Sequence, residues 1–279
     1  MWGGAISKQV LLTISKWNIL EIFKDMEKYR DLLYMLTRRD IVIKYKQSIM
    51  GFMWAIFMPM LIVSAGMLVR CAFSKLSGEP ITMKDISAVS VKAVPWAFFV
   101  ASIRFATTSL ISNANLVTKT YFPRVLFPIA ATLSQFFDFV VASVTLIFLL
   151  GIARVGISMQ LLWVPVLVGL LFMFVLSLGI LLSALALFFR DVKYLVEIVL
   201  TFGIFFTPVF YEVGMFKEWA PVLLLNPIAS ILEGLYACIV RHEAPAVVWV
   251  AYSAVCSISA LFFSLRVFKN LEPAFAESI

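Results

Sequence analysis

The sequence predicts an all-α integral membrane protein. It has six transmembrane helices, an N-terminal amphipathic interface helix and an outer re-entrant helix pair between helices five and six. Three observations predict it. Of 279 residues, 62% are hydrophobic and only 14% are charged, with a mean hydropathy of +1.00. A soluble domain sits near roughly half apolar and a quarter charged. Six separate apolar stretches each approach the roughly 20 residues that a bilayer-crossing helix needs. The net charge of +7 is unevenly spread. Together these exclude a soluble enzyme, a disordered chain and a nucleic-acid-binding domain.

The elements follow in chain order. Residues 1–48 form a cytoplasmic segment holding nine Lys or Arg and five Asp or Glu. Tyr29, Leu32, Leu33, Leu36 and Ile43 fall at helical spacing, while Arg38, Arg39, Lys44 and Lys46 lie off that row. Such a stripe suits a helix lying on a membrane surface, although Asp40 interrupts it. The transmembrane domain, 49–268, carries the apolar stretches 49–69, 93–117, 126–152, 161–189, 194–211 and 246–265. Between the last two, 212–243 is cut by Pro221, Asn226-Pro227 and four glutamates. It reads as two short helices that dip back into the membrane or cap it, because irregular backbone at depth needs protein or water around it. A cytoplasmic tail, 269–279, ends the chain.

Basic residues set the orientation. With the termini inside, the inner segments hold fifteen Lys or Arg. The outer segments hold seven: Arg70, Lys75, Lys84, Lys92, Arg154, Lys217 and Arg241. This excess predicts cytoplasmic termini. The inner segments also hold eight acidic residues, so they alone carry +7. The charge is then a topology signal and a docking face, and requires no nucleic acid.

Catalytic motifs are absent. No glycine precedes a lysine, so there is no phosphate loop for ATP. There is no HExxH, one histidine (His242) and no CxxC among Cys71, Cys238 and Cys256. No catalytic residue, metal site or cofactor is expected in this chain. The intramembrane charges are Arg104, Asp138 and Glu197. Arg104 and Asp138 each fall near mid-stretch, where charge is costly unless paired. They read either as a mutual ion pair locking two helices or as pathway residues.

The densest local signal is the inner loop Asn113-Ala114-Asn115-Leu116-Val117-Thr118-Lys119-Thr120-Tyr121-Phe122-Pro123-Arg124, closed by Pro128. Pro123 and Pro128 prevent one continuous helix. Lys119 and Arg124 can snorkel or meet an acidic partner. On pattern alone it also fits a plain basic anchor with interfacial aromatics.

This stretch resembles the inner loop of type-2 ABC exporter permeases for polysaccharide and O-antigen export, the Wzm-type membrane subunit. Four other places share the resemblance. Arg38-Arg39-Asp40, then Lys44 to Trp54 and Pro59, resembles the family's approach to its first membrane helix. Phe189-Arg190-Asp191-Val192 resembles the loop between helices four and five. Thr207-Pro208-Val209-Phe210-Tyr211 with Asn226-Pro227 resembles the outer re-entrant region. The tail from Glu272 through Phe275 and Glu277 resembles the family ending. The likeness spans about residues 30–279. Glu212 departs from it, standing where the family often has proline.

The resemblance implies a homodimer in the inner membrane of a bacterium. It implies two copies of a separate cytoplasmic ABC ATPase, which would hold the ATP and magnesium, and a lipid-linked polysaccharide as substrate. O-antigen stands first, with capsule and teichoic acid sharing the pattern. Lys119, Phe122, Pro123 and Arg124 are the implied ATPase-coupling residues, with Arg190 and Asp191 secondary.

Aromatics add a mechanistic expectation. Phe202, Phe206 and Phe210 lie at i, i+4 and i+8, with Tyr211 beside the last, and Trp54 and Phe57 lie at i, i+3. Such rings read as lipid-facing or packed groups, or as a channel wall on which the C–H faces of sugars slide. The resemblance favours the channel. Trp96 and Trp249 read as interfacial anchors. The competing functions are a secondary transporter using Arg104 and Asp138, an integral-membrane glycan or polyprenyl transferase, and a scaffold without a pathway.

Overall fold

The computed structural model describes residues 27–46, 50–78, 82–119 and 122–275. The expectations for residues 1–26, and for the part of the tail motif in 276–279, lie outside the described residues. Ten α-helices run in chain order among the described residues. They are α1 (Arg30–Lys46), α2 (Trp54–Ser77), α3 (Met83–Ser112), α4 (Ala114–Lys119) and α5 (Leu126–Ile152), then α6 (Val164–Phe188), α7 (Val192–Phe206), α8 (Ala220–Leu224), α9 (Pro227–Tyr236) and α10 (Val247–Leu271). A 3-10 turn, Met159–Trp163, leads into α6. No strand occurs among the described residues.

Among the described residues, five stretches are long and apolar enough to cross a membrane. They are α2, α3, α5, α6 with its leading turn, and α10 with the turn after it. The remaining expected crossing, 194–211, is the 15-residue helix α7. At 1.5 Å per residue it spans about 23 Å, short of the roughly 30 Å hydrocarbon core. Pro208 explains its end. The residue before a proline is pushed out of the helical region, and Thr207 is extended at φ −116°, ψ 134°.

Helix α3 is the axis of the bundle, packed by α5, α6, α2, α9 and α7. It begins ten residues earlier than the apolar stretch at 93. Lys84, Asp85 and Lys92 dilute the hydropathy there, but the backbone has its own start signal. Asp85 accepts from the Thr82 N–H at 2.8 Å in a reciprocal capping box. Asp85 also accepts from Arg70 Nε at 2.9 Å, which joins the end of α2 to the start of α3. Lys84 and Lys92, expected in a loop, are therefore helical.

Close packing holds α3 to its neighbours. Lipid chains are as apolar as leucine, so helices associate through small residues and polar links. Gly179 of α6 meets α3 so closely that a Cβ there would lie 2.8 Å from the Ala106 Cβ. Ser and Thr hydroxyls along these helices fold back onto their own carbonyls, as Thr107 does on Ile103 and Thr132 on Pro128. One core surrounds Trp96, Phe98, Leu167, Leu171 and Ile231. Phe98 there meets Phe139 at 5.1 Å between ring centroids. Trp96 is 3% exposed, against Gly203 of α7. It is a core residue, contrary to the expected interfacial anchor; its indole fills the gap that glycine leaves.

A second core lies at the opposite end and draws together Leu36, Leu110, Leu126, Phe268 and Phe275. Helix α1 lies against α5 there. Tyr29, Leu32, Leu33 and Leu36 of the expected stripe pack into this core, but Ile43 is exposed. The row drifts off the contact before the helix ends, and Lys44 turns inward instead.

The 212–243 region contains the two expected short helices, α8 and α9, preceded by a 3-10 turn, Val213–Trp219. Asn226 caps α9 by accepting from the Ile228 N–H at 3.1 Å, with Pro227 at the first helical position. Its amide donates to Thr207 Oγ1 at 3.2 Å, so the two motifs Thr207-Pro208 and Asn226-Pro227 hold each other. Nearly all of α9 is buried among α3, α6 and α10.

Candidate functional site

The loop after α4 is built around Arg124. The Arg124 N–H donates to Glu272 Oε1 at 3.0 Å, and its guanidinium donates to the Glu272 carbonyl at 2.6 Å and the Val117 carbonyl at 3.2 Å. The chain's own tail thus supplies an acidic side chain to this loop's backbone, while the Arg124 guanidinium is held by main-chain carbonyls. Phe122 packs on Phe127 at 5.5 Å, and the Pro123 carbonyl accepts from the Leu126 N–H at 3.2 Å. Pro128 occupies the first turn of α5, where the N–H it lacks has no helical acceptor in any case. Lys119 closes α4, and its side chain lies outside the described residues. Arg190 and Asp191 are exposed between α6 and α7, with the Asp191 carbonyl accepting from the Tyr194 and Leu195 N–H groups at 3.0 Å.

The intramembrane charges are arranged differently from the expectation. Arg104 does not pair with Asp138. It makes a bidentate pair with Glu197 of α7, at 2.6 and 2.7 Å. Asp138 instead accepts from Lys44 and from the Tyr45 hydroxyl, both on α1. Lys44 also donates to Gln135 at 2.9 Å. Depth along a helix was countable from the sequence, but the side of the helix was not. Burial, and then the Asp138 carboxylate, push the Tyr45 phenol above its ordinary pKa range, so it stays a donor.

These charges meet around a cavity of about 240 Å³ between α1, α2, α3 and α5. Lys44, Arg104, Gln135 and Asp138 line its polar side, and Trp54 and Phe105 its apolar side. Arg104 lies eight residues from the end of α3, roughly 12 Å along the axis. Glu197 is in the second turn of α7. Both therefore sit within the depth of the bundle. Yet their side chains are 44% and 45% exposed.

Exposed aromatic residues lie on α7 and at the start of α2, with Phe202 and Phe206 roughly 140° and 180° around α7 from Glu197. Phe202 and Phe206 are 57% and 72% exposed, with Phe205 beside them. Trp54 and Phe57 are half-exposed and meet edge to face at 5.6 Å. Phe210 is not part of the stripe. The helix ends at Phe206, so the i+8 relation fails, and Phe210 packs against Gly66 of α2, where a Cβ would lie 2.7 Å from its ring. Tyr211 meets Phe216 edge to face at 5.1 Å, and its hydroxyl donates to the Phe205 carbonyl at 3.1 Å.

At the opposite end lies a group that the sequence did not single out. Lys92 is 1% exposed. Its ammonium reaches Glu233 of α9 at 2.8 Å and the Tyr211 carbonyl at 3.1 Å, and lies 4.5 Å from the Tyr236 ring centroid. This network fastens α9 and the 207–211 segment to α3. The available signal was the regular series from Thr82 to Lys92, which a capping-box reading would have placed on one helix.

Comparison with known proteins follows the same span. Residues 31–240 match the ABC-2 type transporter family. The chain is 26% identical over 267 residues to the O-antigen export system permease protein RfbA of Myxococcus xanthus, covering 94% of this chain and 100% of that one. It is 25% identical over 253 residues to a protein of that name from Klebsiella pneumoniae, covering 88% of this chain and 94% of that one. A further Klebsiella pneumoniae protein of that name is 26% identical over 204 residues, 72% of this chain and 77% of that one.

Proposed function

The chain belongs to the ABC-2 type transporter family, and from that premise we propose that it is the permease subunit of an ATP-driven exporter of a lipid-linked surface polysaccharide. O-antigen is the first candidate, because the relatives are named for its export. The working unit is a homodimer with two copies of a separate ABC ATPase. The termini face the cytoplasm of a bacterium, as the basic excess favours. Helix α7 completes six crossings, and α8 and α9 form the outer re-entrant pair. The ATPases engage α1 and the exposed Arg190-Asp191 loop, and drive the 119–124 loop.

One observation carries the pathway reading. The Arg104–Glu197 pair is nearly half exposed on an apolar bundle. Facing hydrocarbon, such a pair would be expensive, and intramembrane charges face the protein interior or a water-filled space. The surface around Arg104 and Glu197 is therefore read as one wall of a conduit completed by a second copy, and the exposed Phe202 and Phe206, on another side of α7, as a second wall. Its rings offer weak, repeated contacts to sugar, which lets a polymer slide, while the ion pair keeps water present for the hydroxyls.

The test is a paired substitution in a polysaccharide-producing cell that depends on this chain. Phe202→Ala with Phe206→Ala is expected to reduce surface polysaccharide about tenfold, corresponding to roughly 1.4 kcal/mol on the limiting step. The amount of permease in the membrane should fall less than twofold. Wild-type export from this variant would turn the stripe toward lipid and remove the conduit.

A further inference from the structure

The last described turn of the chain, Glu272–Ala274 followed by Phe275, bonds to the 122–125 loop and packs on the end of α6, two places next to the coupling elements of the exporter reading. Glu272 takes the Arg124 N–H on its carboxylate and the Arg124 guanidinium on its carbonyl, at 3.0 and 2.6 Å. Lys269 of α10 holds the same carboxylate at 3.1 Å. Phe275 is 0% exposed and sits between Phe188, at 5.8 Å, and Phe268, at 5.1 Å. Phe188 is the last residue of α6, directly before the exposed Phe189-Arg190-Asp191 loop. Leu36 of α1 belongs to the same core.

We propose that Glu272 is a positioning residue for energy coupling: with Phe275 it clamps the 122–125 loop, the end of α6 and α10 into one rigid unit. This rests on the exporter reading above. Two of the three Arg124 bonds go to Glu272, so the motif arginine is a strut inside the permease. A push delivered at the 189–191 loop or at α1 then reaches α3, α5 and α10 together. Without the clamp the loop would absorb the movement. A charge-assisted bond to a backbone amide fits this task, because it fixes the loop's main chain directly.

The experiment uses the full-length permease with its ATPase subunit, and the purified permease alone. In Glu272→Ala, hydrogen exchange at the Arg124 amide should quicken about tenfold, the loss of one charge-assisted bond, while the α3 core amides keep their protection. Polysaccharide exported per ATP hydrolysed should also fall about tenfold, with assembly and the KM for ATP unchanged. Glu272→Gln retains an oxygen acceptor and should keep export per ATP within about threefold. A Glu272→Ala permease with wild-type Arg124 exchange and wild-type export per ATP would overturn the proposal. So would a Glu272→Gln variant as defective as Glu272→Ala, since the effect would then belong to charge and not to position. A wild-type complex that moves no polysaccharide on ATP would instead sink the exporter reading and leave the exchange result to judge the clamp.

Discussion

Glu233→Ala should destabilise the chain by about 3–5 kcal/mol, the usual consequence of removing one partner of a buried ion pair. Lys92 sits 1% exposed on α3 with its ammonium on Glu233. After the substitution the Tyr211 carbonyl and the Tyr236 ring remain, and neither carries a neutralising charge. The segment from Thr207 through α9 should then loosen from α3, beginning at Tyr211. Thermal unfolding of the detergent-purified chain measures the loss. A double substitution, Lys92→Met with Glu233→Met, should recover much of it, because an apolar pair of similar volume replaces a buried salt bridge at little net loss. Unfolding of Glu233→Ala at the wild-type temperature would show that Lys92 has water or another partner. The network's service is specificity of position: α9 is mostly apolar on its packed face, and a charge pair selects one register where many apolar contacts would be nearly equivalent.

Asp138→Ala should release the amphipathic helix from the bundle. Lys44 and Tyr45 both donate to Asp138, and Lys44 also donates to Gln135. The expected loss is about 2–4 kcal/mol in the docking of α1, from the hydrogen bonds and the charge left without its partner. Export should drop at least about tenfold if, as proposed, the ATPase engages α1. Asp138→Asn keeps an acceptor for both donors and should lose less. The raised phenol pKa of Tyr45 gives the sign of its pH dependence. Its contribution is complete below the unfolded tyrosine value of about 10, and is lost only as pH rises through the higher folded value. Docking of α1 should therefore be constant through neutral and mildly alkaline pH. Protease cleavage within α1, followed against α5 as an internal standard, reads the release directly. Equal cleavage of Asp138→Ala and wild type would contradict the anchor.

Much of this arrangement was legible in the sequence for a physical reason. Apolar runs of about 20 residues have few alternatives to crossing a bilayer, so composition alone foretold the five helices of crossing length among the described residues, while the run at 194–211 is the shorter α7. The two short helices between α7 and α10 followed from Pro221 and Asn226-Pro227. What escaped was direction around a helix and partner choice across helices. Arg104 and Asp138 were placed at similar depth and read as a mutual ion pair or as pathway residues, yet they face different neighbours, Glu197 and Lys44. Phe210 was counted onto a stripe because its spacing is i+8, but Pro208 ends the helix first. Lys92 was read as a loop residue because hydropathy averages over a window, and a single buried lysine cannot outweigh its neighbours. Arg124 was expected to snorkel or to meet an acidic partner that the pattern did not identify. Its partner, Glu272, lay in the tail motif 148 residues away, a separation over which local pattern carries no information.

The claim that matters most is that this chain forms the pathway for an ATP-driven export step. Inverted membrane vesicles bearing the chain and its ABC ATPase subunit, loaded outside with lipid-linked polysaccharide, measure it. ATP should move the polysaccharide into the vesicle lumen, vesicles with the chain alone should move none on a proton gradient, and Arg104→Ala with Glu197→Ala should abolish the ATP-driven uptake. Uptake by the chain alone on a proton gradient, with no requirement for the ATPase subunit, would contradict it.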